Sequence, residues 1–154
     1  MGEMDSEVRW LTAHEEHLWR GWLKLNAELA STLQRELQQD VGLSMPDFEV
    51  LVHLTDNPEG RVRVTELAAL LQWERSRVSH HVKRMERRGL VERVECSVDG
   101  RGAFVVITPQ GRTAIEEAAP GHVMAVRRLM FDVLSEKEKA ALAAVIDKLL
   151  AQGG

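Results

Sequence analysis

Tyrosine is absent from the 154 residues, cysteine occurs once, and no apolar run approaches the roughly 18 residues that a bilayer-spanning helix needs. The missing tyrosine excludes nothing by itself. The lone Cys96 excludes an intrachain disulfide framework and fits a reducing cytosol, so a cytoplasmic location is expected. The acidic stretch Met1 to Glu7 has neither the basic nor the apolar region of a secretory signal, and no membrane partner is expected. Enzyme hallmarks are missing too: no nucleophile stands beside a base, no glycine-rich loop cradles phosphate, and no carboxylates pair at a useful spacing. His14-Glu15-Glu16-His17 sets its histidines three apart instead of the four of a zincin helix, and no sulfur ligand lies near. Neither catalysis, nor a cofactor, nor a bound metal is expected.

Basic charge is scarce as well: 20 Lys and Arg face 24 Asp and Glu, a net charge of -4. That average argues against nucleic acid until it is resolved along the chain. Arg61 to Arg101 holds ten basic and six acidic residues, net +4, and the remainder holds ten basic and 18 acidic, net -8. A basic centre between acidic arms is the charge asymmetry of a nucleic-acid footprint.

From Ser6 to Gln39 there is no proline and one glycine, and Leu11, Leu18, Trp22, Leu25, Leu29, Leu33 and Leu37 recur at helical spacing. Trp19, Leu23 and Ala30 widen the apolar face, so this long helix is expected to pack on its own core and on a second subunit. Ser44-Met45-Pro46-Asp47 reads as a capping box that opens a helix reaching Leu54, before the breaker cluster Asp56 to Gly60. Val62 and Val64 suggest a short strand. Thr65 to Leu71 is a short helix with Thr65 as its cap, Gln72-Trp73-Glu74 a turn in which Trp73 braces the flanking helices, and Arg75 to Arg88 a helix closed by Gly89. Leu90 to Val94 and Phe104 to Ile107 flank the hairpin signal Asp99-Gly100. Thr108-Pro109 starts a helix reaching about Asp132, which Pro120-Gly121 should kink or break. Ser135 to Glu138 is a capping box for the last helix, with Leu142, Val145, Ile146, Leu149 and Leu150 on one face.

A short helix, a turn, a longer helix and a two-stranded hairpin, in that order, make a winged helix-turn-helix. The fold class is therefore mainly α with a small β-wing. Residues 44–108 are the expected winged unit, and 6–39 with 109–152 the expected helical dimerisation lobe. Phase supports the longer helix as a DNA reader: Val78, Val82 and Met85 share one face, and Ser76, His80, Lys83 and Arg87 point the opposite way, flanked by Arg77 and Arg84. Small residues for close approach, then Arg and Lys for base edges and phosphates, suit a major groove in double-stranded DNA. Arg75, Ser76, Arg77, Ser79, His80, Lys83 and Arg84 are the candidate contacts, with Arg77 first for a bidentate guanine contact. His81 is expected to turn toward the base of the wing. At the hairpin tip, Asp99, Gly100 and Arg101 offer an arginine on a tight turn to the minor groove.

The chain resembles the multiple antibiotic resistance regulator (MarR) family of bacterial transcription factors. The residues that carry the resemblance are Thr65-Glu66-Leu67-Ala68, Ser76 to Val82, Arg88 to Arg93, Asp99-Gly100-Arg101 and Thr108 to Arg112. The resemblance implies a homodimer that reads a pseudo-palindromic operator, usually as a repressor, and lets go when a small aromatic or lipophilic effector binds between the lobes. It also implies a second basic residue in the wing, where Gly100 stands here. Leu11, Leu18, Leu142, Val145, Ile146 and Leu149 are the candidate dimerisation residues. Trp19, Trp22, Phe48 and His53 are candidates for an effector pocket. Two alternatives remain: a winged-helix protein-interaction module, which should carry apolar anchors on the reading helix, and a thiol- or metal-responsive regulator of the same fold. Thiol-switch relatives carry their cysteine in the first helix, which has none here.

Overall fold

The computed structural model describes residues 7–95 and 102–153. Residues up to Thr32 and residues from Leu33 onward form two compact units. The first unit holds the N-terminal part of α1 (Ala13–Val41). Residues 7–12 are not helical, so the helix starts later than its apolar periodicity suggests. The cause is a reciprocal cap: the Thr12 hydroxyl accepts from the Glu15 N–H at 3.1 Å, and the Glu15 carboxylate accepts from the Thr12 N–H at 2.9 Å. Trp10, Leu11, Leu18, Trp19, Trp22, Leu23 and Leu25 are all exposed, and Leu37 alone of the α1 residues is buried.

The second unit contains the last turns of α1, then α2 (Met45–Asp56), β1 (Arg61–Arg63), α3 (Val64–Leu71) and α4 (Arg75–Arg87). After these come β2 (Val91–Glu95), β3 (Ala103–Ile107), α5 (Pro109–Leu129), a 3₁₀ turn (Phe131–Val133) and α6 (Glu136–Leu150). The sheet is antiparallel in the order β1-β3-β2, with Val91 opposite Ile107, Glu95 opposite Ala103 and Arg61 opposite Val106. Along β3 the side chains of Ala103, Val105 and Ile107 are buried while Phe104 and Val106 are half-buried, the alternation of a one-sided sheet. The core joins Leu51 and Leu54 of α2, Leu67 of α3, Val78, Val82 and Met85 of α4, Val91 and Val105 of the sheet, and Ile115 and Ala118 of α5. At about 1.5–3 kcal/mol for each fully buried large apolar side chain, this cluster fixes α4 against α2 and the sheet.

Three expectations change. Val64 belongs to α3, whose N-cap is Arg63 and not Thr65: the strand ends with the Arg63–Phe104 pair, and the chain turns into the helix at once. Pro120 lies inside an unbroken α5. Proline removes one hydrogen bond to the carbonyl of Glu116, and both residues are exposed, so water can satisfy that carbonyl. The same helix ends at Leu129, short of Asp132. Its start is as expected. Thr108 is the cap, its hydroxyl accepting from the Gly111 N–H at 3.0 Å and lying 2.6 Å from the Gly89 carbonyl. A Cβ at Gly111 would overlap the Leu90 carbonyl oxygen, so glycine is required where α5 crosses the end of α4.

Candidate nucleic-acid interface

The candidate reading helix, α4, is set by the turn before it. Gln72 takes a left-handed conformation (φ 56°) and closes α3 by donating its N–H to the Ala68 and Ala69 carbonyls. Trp73 follows with its N–H on the Ala68 carbonyl at 3.0 Å, and Glu74 is the extended N-cap of α4. No side chain caps that end, so the first N–H groups of α4, at Arg75, Ser76 and Arg77, have no side-chain cap to satisfy them. Val78, His81, Val82 and Met85 face inward.

At 100° per residue, the rest of α4 divides into an outer face and two flanks. Ser76, His80, Lys83 and Arg87 form the outer face, and all four are exposed. Arg77, Arg84 and Arg88 line the flank toward α2. Arg75, exposed, and Ser79, half-buried, lie on the other flank. The expected contacts thus separate into distinct groups, and Arg77 is not on the outermost line. Its guanidinium stacks over the Trp73 ring at 3.9 Å, a cation–π contact worth about 0.5–1 kcal/mol at an exposed site. Trp73 in turn stands edge-on to His81, with ring centroids 5.6 Å apart.

Behind this flank sits a group absent from the expected site. Asp47, at the start of α2, is buried. Its Oδ1 is 2.9 Å from His81 Nε2, and its Oδ2 accepts from Arg88 Nη1 at 2.7 Å and from the Ser44 N–H at 3.0 Å. Burial disfavours the carboxylate, but hydrogen bonds from His81, the Ser44 backbone and Arg88 outweigh it and hold the Asp47 carboxyl well below the ordinary carboxylate range. Arg88 also donates to the Gly42 carbonyl at 2.9 Å, and Arg84 Nη2 lies 3.1 Å from His81 Nδ1. His81 therefore turns to α2 and not to the base of the wing, because a buried carboxylate requires partners. A cleft of about 510 Å³ opens along this flank, lined by Asp47, Trp73, Arg77, His81, Arg84 and Arg88 among others. The capping box at Ser44 was visible in the sequence. The second use of its aspartate had no local signal; the spacing of Arg77, Arg84 and Arg88 shows only that three arginines share one flank.

Asp99, Gly100 and Arg101 at the wing tip, and Cys96, lie outside the described residues. At the wing base, Arg61 and Arg63 stack on Phe104 at 4.5 and 4.7 Å. Of the effector candidates, Trp19 and Trp22 are exposed in the first unit. Phe48 is buried in the second, tilted against His122 at 4.6 Å, and His53 is half-buried. Burial leaves the His122 imidazole less readily protonated than usual. Among the dimerisation candidates Leu11, Leu18, Val145 and Leu149 are exposed, and Leu142 and Ile146 half-buried. Among the described residues no helix is long and apolar enough to cross a membrane.

The sequence profile of the MarR family matches residues 41–102. Sco3205, a MarR family transcriptional regulator from Streptomyces coelicolor solved in complex with DNA, is 39% identical, with a TM-score of 0.90 over 97% of this chain and 92% of that one. AbsC, a MarR family transcriptional regulator from the same organism, is 36% identical, with a TM-score of 0.88 over 94% of this chain and 97% of that one. The HTH-type transcriptional repressor YetL of Bacillus subtilis (strain 168) is 27% identical over 108 residues, which cover 70% of this chain and 64%, just under two thirds, of that repressor's length. The chain belongs to the MarR family of transcriptional regulators.

Proposed function

We propose that the protein is a cytoplasmic repressor that binds a pseudo-palindromic operator in double-stranded DNA as a homodimer. The observation that carries this reading is the outward face of α4, where Ser76, His80, Lys83 and Arg87 are exposed between arginine-bearing flanks and no apolar anchor interrupts them. An interaction module would need such an anchor. The uncapped first turn of α4 adds free N–H groups suited to phosphate oxygens. Sco3205 was solved with DNA, which supports the same partner for this chain. Arg75, Arg77, Ser79 and Arg84 flank the contact, and Asp99, Gly100 and Arg101 reach the minor groove.

Residues 44–108 form the winged unit in this proposal, and 6–39 with 109–152 the dimerisation lobe. The exposed Leu18, Trp19 and Trp22 of α1 and Val145 and Leu149 of α6 are the surfaces a second copy covers. Two winged units then meet half-sites about one helical turn apart. A small aromatic or lipophilic effector releases the complex, with Trp19, Trp22, Phe48 and His53 as its candidate contacts.

The test is selection of bound fragments from the native genome, followed by anisotropy titration of a selected duplex and a scrambled one across salt. The expected result is selective binding by a dimer, with log K falling steeply against log salt at a slope of about -0.9 per neutralised phosphate. Equal affinity for both duplexes, or a slope near zero, would overturn the proposal.

A further inference from the structure

The polar chain Asp47–His81–Arg84 has a direction fixed by chemistry. A guanidinium has only N–H groups and accepts nothing. Arg84 Nη2, 3.1 Å from His81 Nδ1, must therefore donate to that nitrogen, which must carry no proton. The ring proton then sits on Nε2, a buried nitrogen 2.9 Å from Asp47 Oδ1, where it lies against the carboxylate without the alignment of a hydrogen bond. The neutral imidazole thus takes a hydrogen bond from an arginine beside the reading face and sets its own N–H against a carboxylate buried at the start of α2.

We propose that His81 is a proton-linked positioning residue, which holds Arg84 for sequence-selective binding while neutral and releases it when protonated. A second proton has only Nδ1 to occupy. Once there, it removes the acceptor Arg84 uses and sets an imidazolium against a guanidinium across the same contact. The contact between Asp47 and Nε2–H is the same in both states, so the change falls on Arg84 and not on the packing of α4 against α2. The charged groups lining the cleft around the ring are Asp47 from α2, Arg77 and Arg84 from α4 and Arg88 at the C-cap of α4, with the uncharged Trp73 edge-on to the ring. Three of these four are cations, and Arg77 is already committed to Trp73. Arg84 is the cation in contact with Nδ1. A held arginine loses less freedom on meeting DNA than a free one. The added charge of an imidazolium meanwhile attracts any duplex equally. Selectivity, not total affinity, is what the proton lowers.

The inference rests on the DNA-binding reading above, and its test separates the two. Affinities for the selected operator and for a scrambled duplex are measured at constant ionic strength between about pH 8 and pH 5.5, where imidazoles titrate. The expected result is a fall of at least about tenfold in their ratio, one base-reading contact being weakened in each protomer. His81→Gln keeps a donor for Asp47 but cannot take a proton, and its ratio should be flat with pH. Arg84→Gln, an exposed substitution that folds whether or not His81→Gln does, should also be flat. His80→Gln changes the exposed histidine of the outer face and lowers the ratio at every pH, but should keep the fall between the two pH values. Persistence of the pH dependence in His81→Gln or Arg84→Gln, or its loss in His80→Gln, would overturn the inference. In long-range ¹H–¹⁵N spectra of the DNA-free protein at the upper pH, His81 should be the Nε2–H tautomer; an Nδ1–H ring or an imidazolium would overturn it without reference to DNA. Absence of selectivity at every pH would sink the DNA-binding reading instead, and selectivity that does not change with pH would sink only this one.

Discussion

Replacing His80, Lys83 and Arg87 together with alanine is expected to weaken operator binding at least about 100-fold and to leave the melting temperature nearly unchanged. All three side chains are exposed on the outer face of α4, away from Val78, Val82 and Met85. Surface substitutions of that kind usually move stability by less than about 0.5 kcal/mol. A good bidentate base contact is worth about 1–3 kcal/mol, phosphate contacts add an electrostatic share, and a dimer loses every one twice. Gel shift with parallel thermal melts checks the prediction. A variant that binds within a few-fold of wild type would mean that α4 does not face the groove. The structure also sharpens the expectation for Arg77. A direct guanine contact requires it to leave the Trp73 ring, so its replacement should cost less than loss of the outer face.

The second large effect is on stability. Asp47→Ala is expected to destabilise the fold by about 3 kcal/mol, the lower end for breaking a buried charged pair. The lower end applies because Arg88 is partly in water, which screens its share. The substitution removes the carboxylate that lies against buried His81 and bonds Arg88, together with half of the Ser44 capping box. For a chain of this size the melting temperature should fall by about 6–12 °C. The pH dependence has a defined sign. The folded carboxyl titrates below its unfolded value, so its contribution is complete above about pH 4, the ordinary aspartate range, and is lost as pH falls further. The stability gap between wild type and Asp47→Asn should therefore be widest near neutrality and narrow in acid. Denaturant melts at several pH values read it directly, and a gap independent of pH would contradict the ionised pairing.

Much of this was legible in the sequence, for local reasons. Ser44, Thr108 and Ser135 are caps whose chemistry lies within three residues, and each caps its helix as expected. The alternation around β2 and β3 fixes a register because one face is buried. The inward set Val78, Val82 and Met85 followed from periodicity alone. What periodicity could not supply were contacts between distant segments. Asp47 and Arg88 are 41 residues apart, and nothing local tells a capping aspartate that also binds a histidine and an arginine from one that only caps. The helix start at Ala13 was missed because apolar spacing continues through Leu11 while the Thr12–Glu15 cap ends the helix. Pro120 misled because the cost of proline depends on whether the freed carbonyl meets water, which is a property of the fold.

The central claim is that α4 enters the major groove of two half-sites. Methylation interference on a selected operator tests it most directly, because guanine N7 lies in the major groove. The expected pattern is loss of binding from modified guanines in two clusters about one helical turn apart, symmetric about the operator centre. Tolerance of methylated guanines throughout the selected site, or interference at one half-site only, would contradict it.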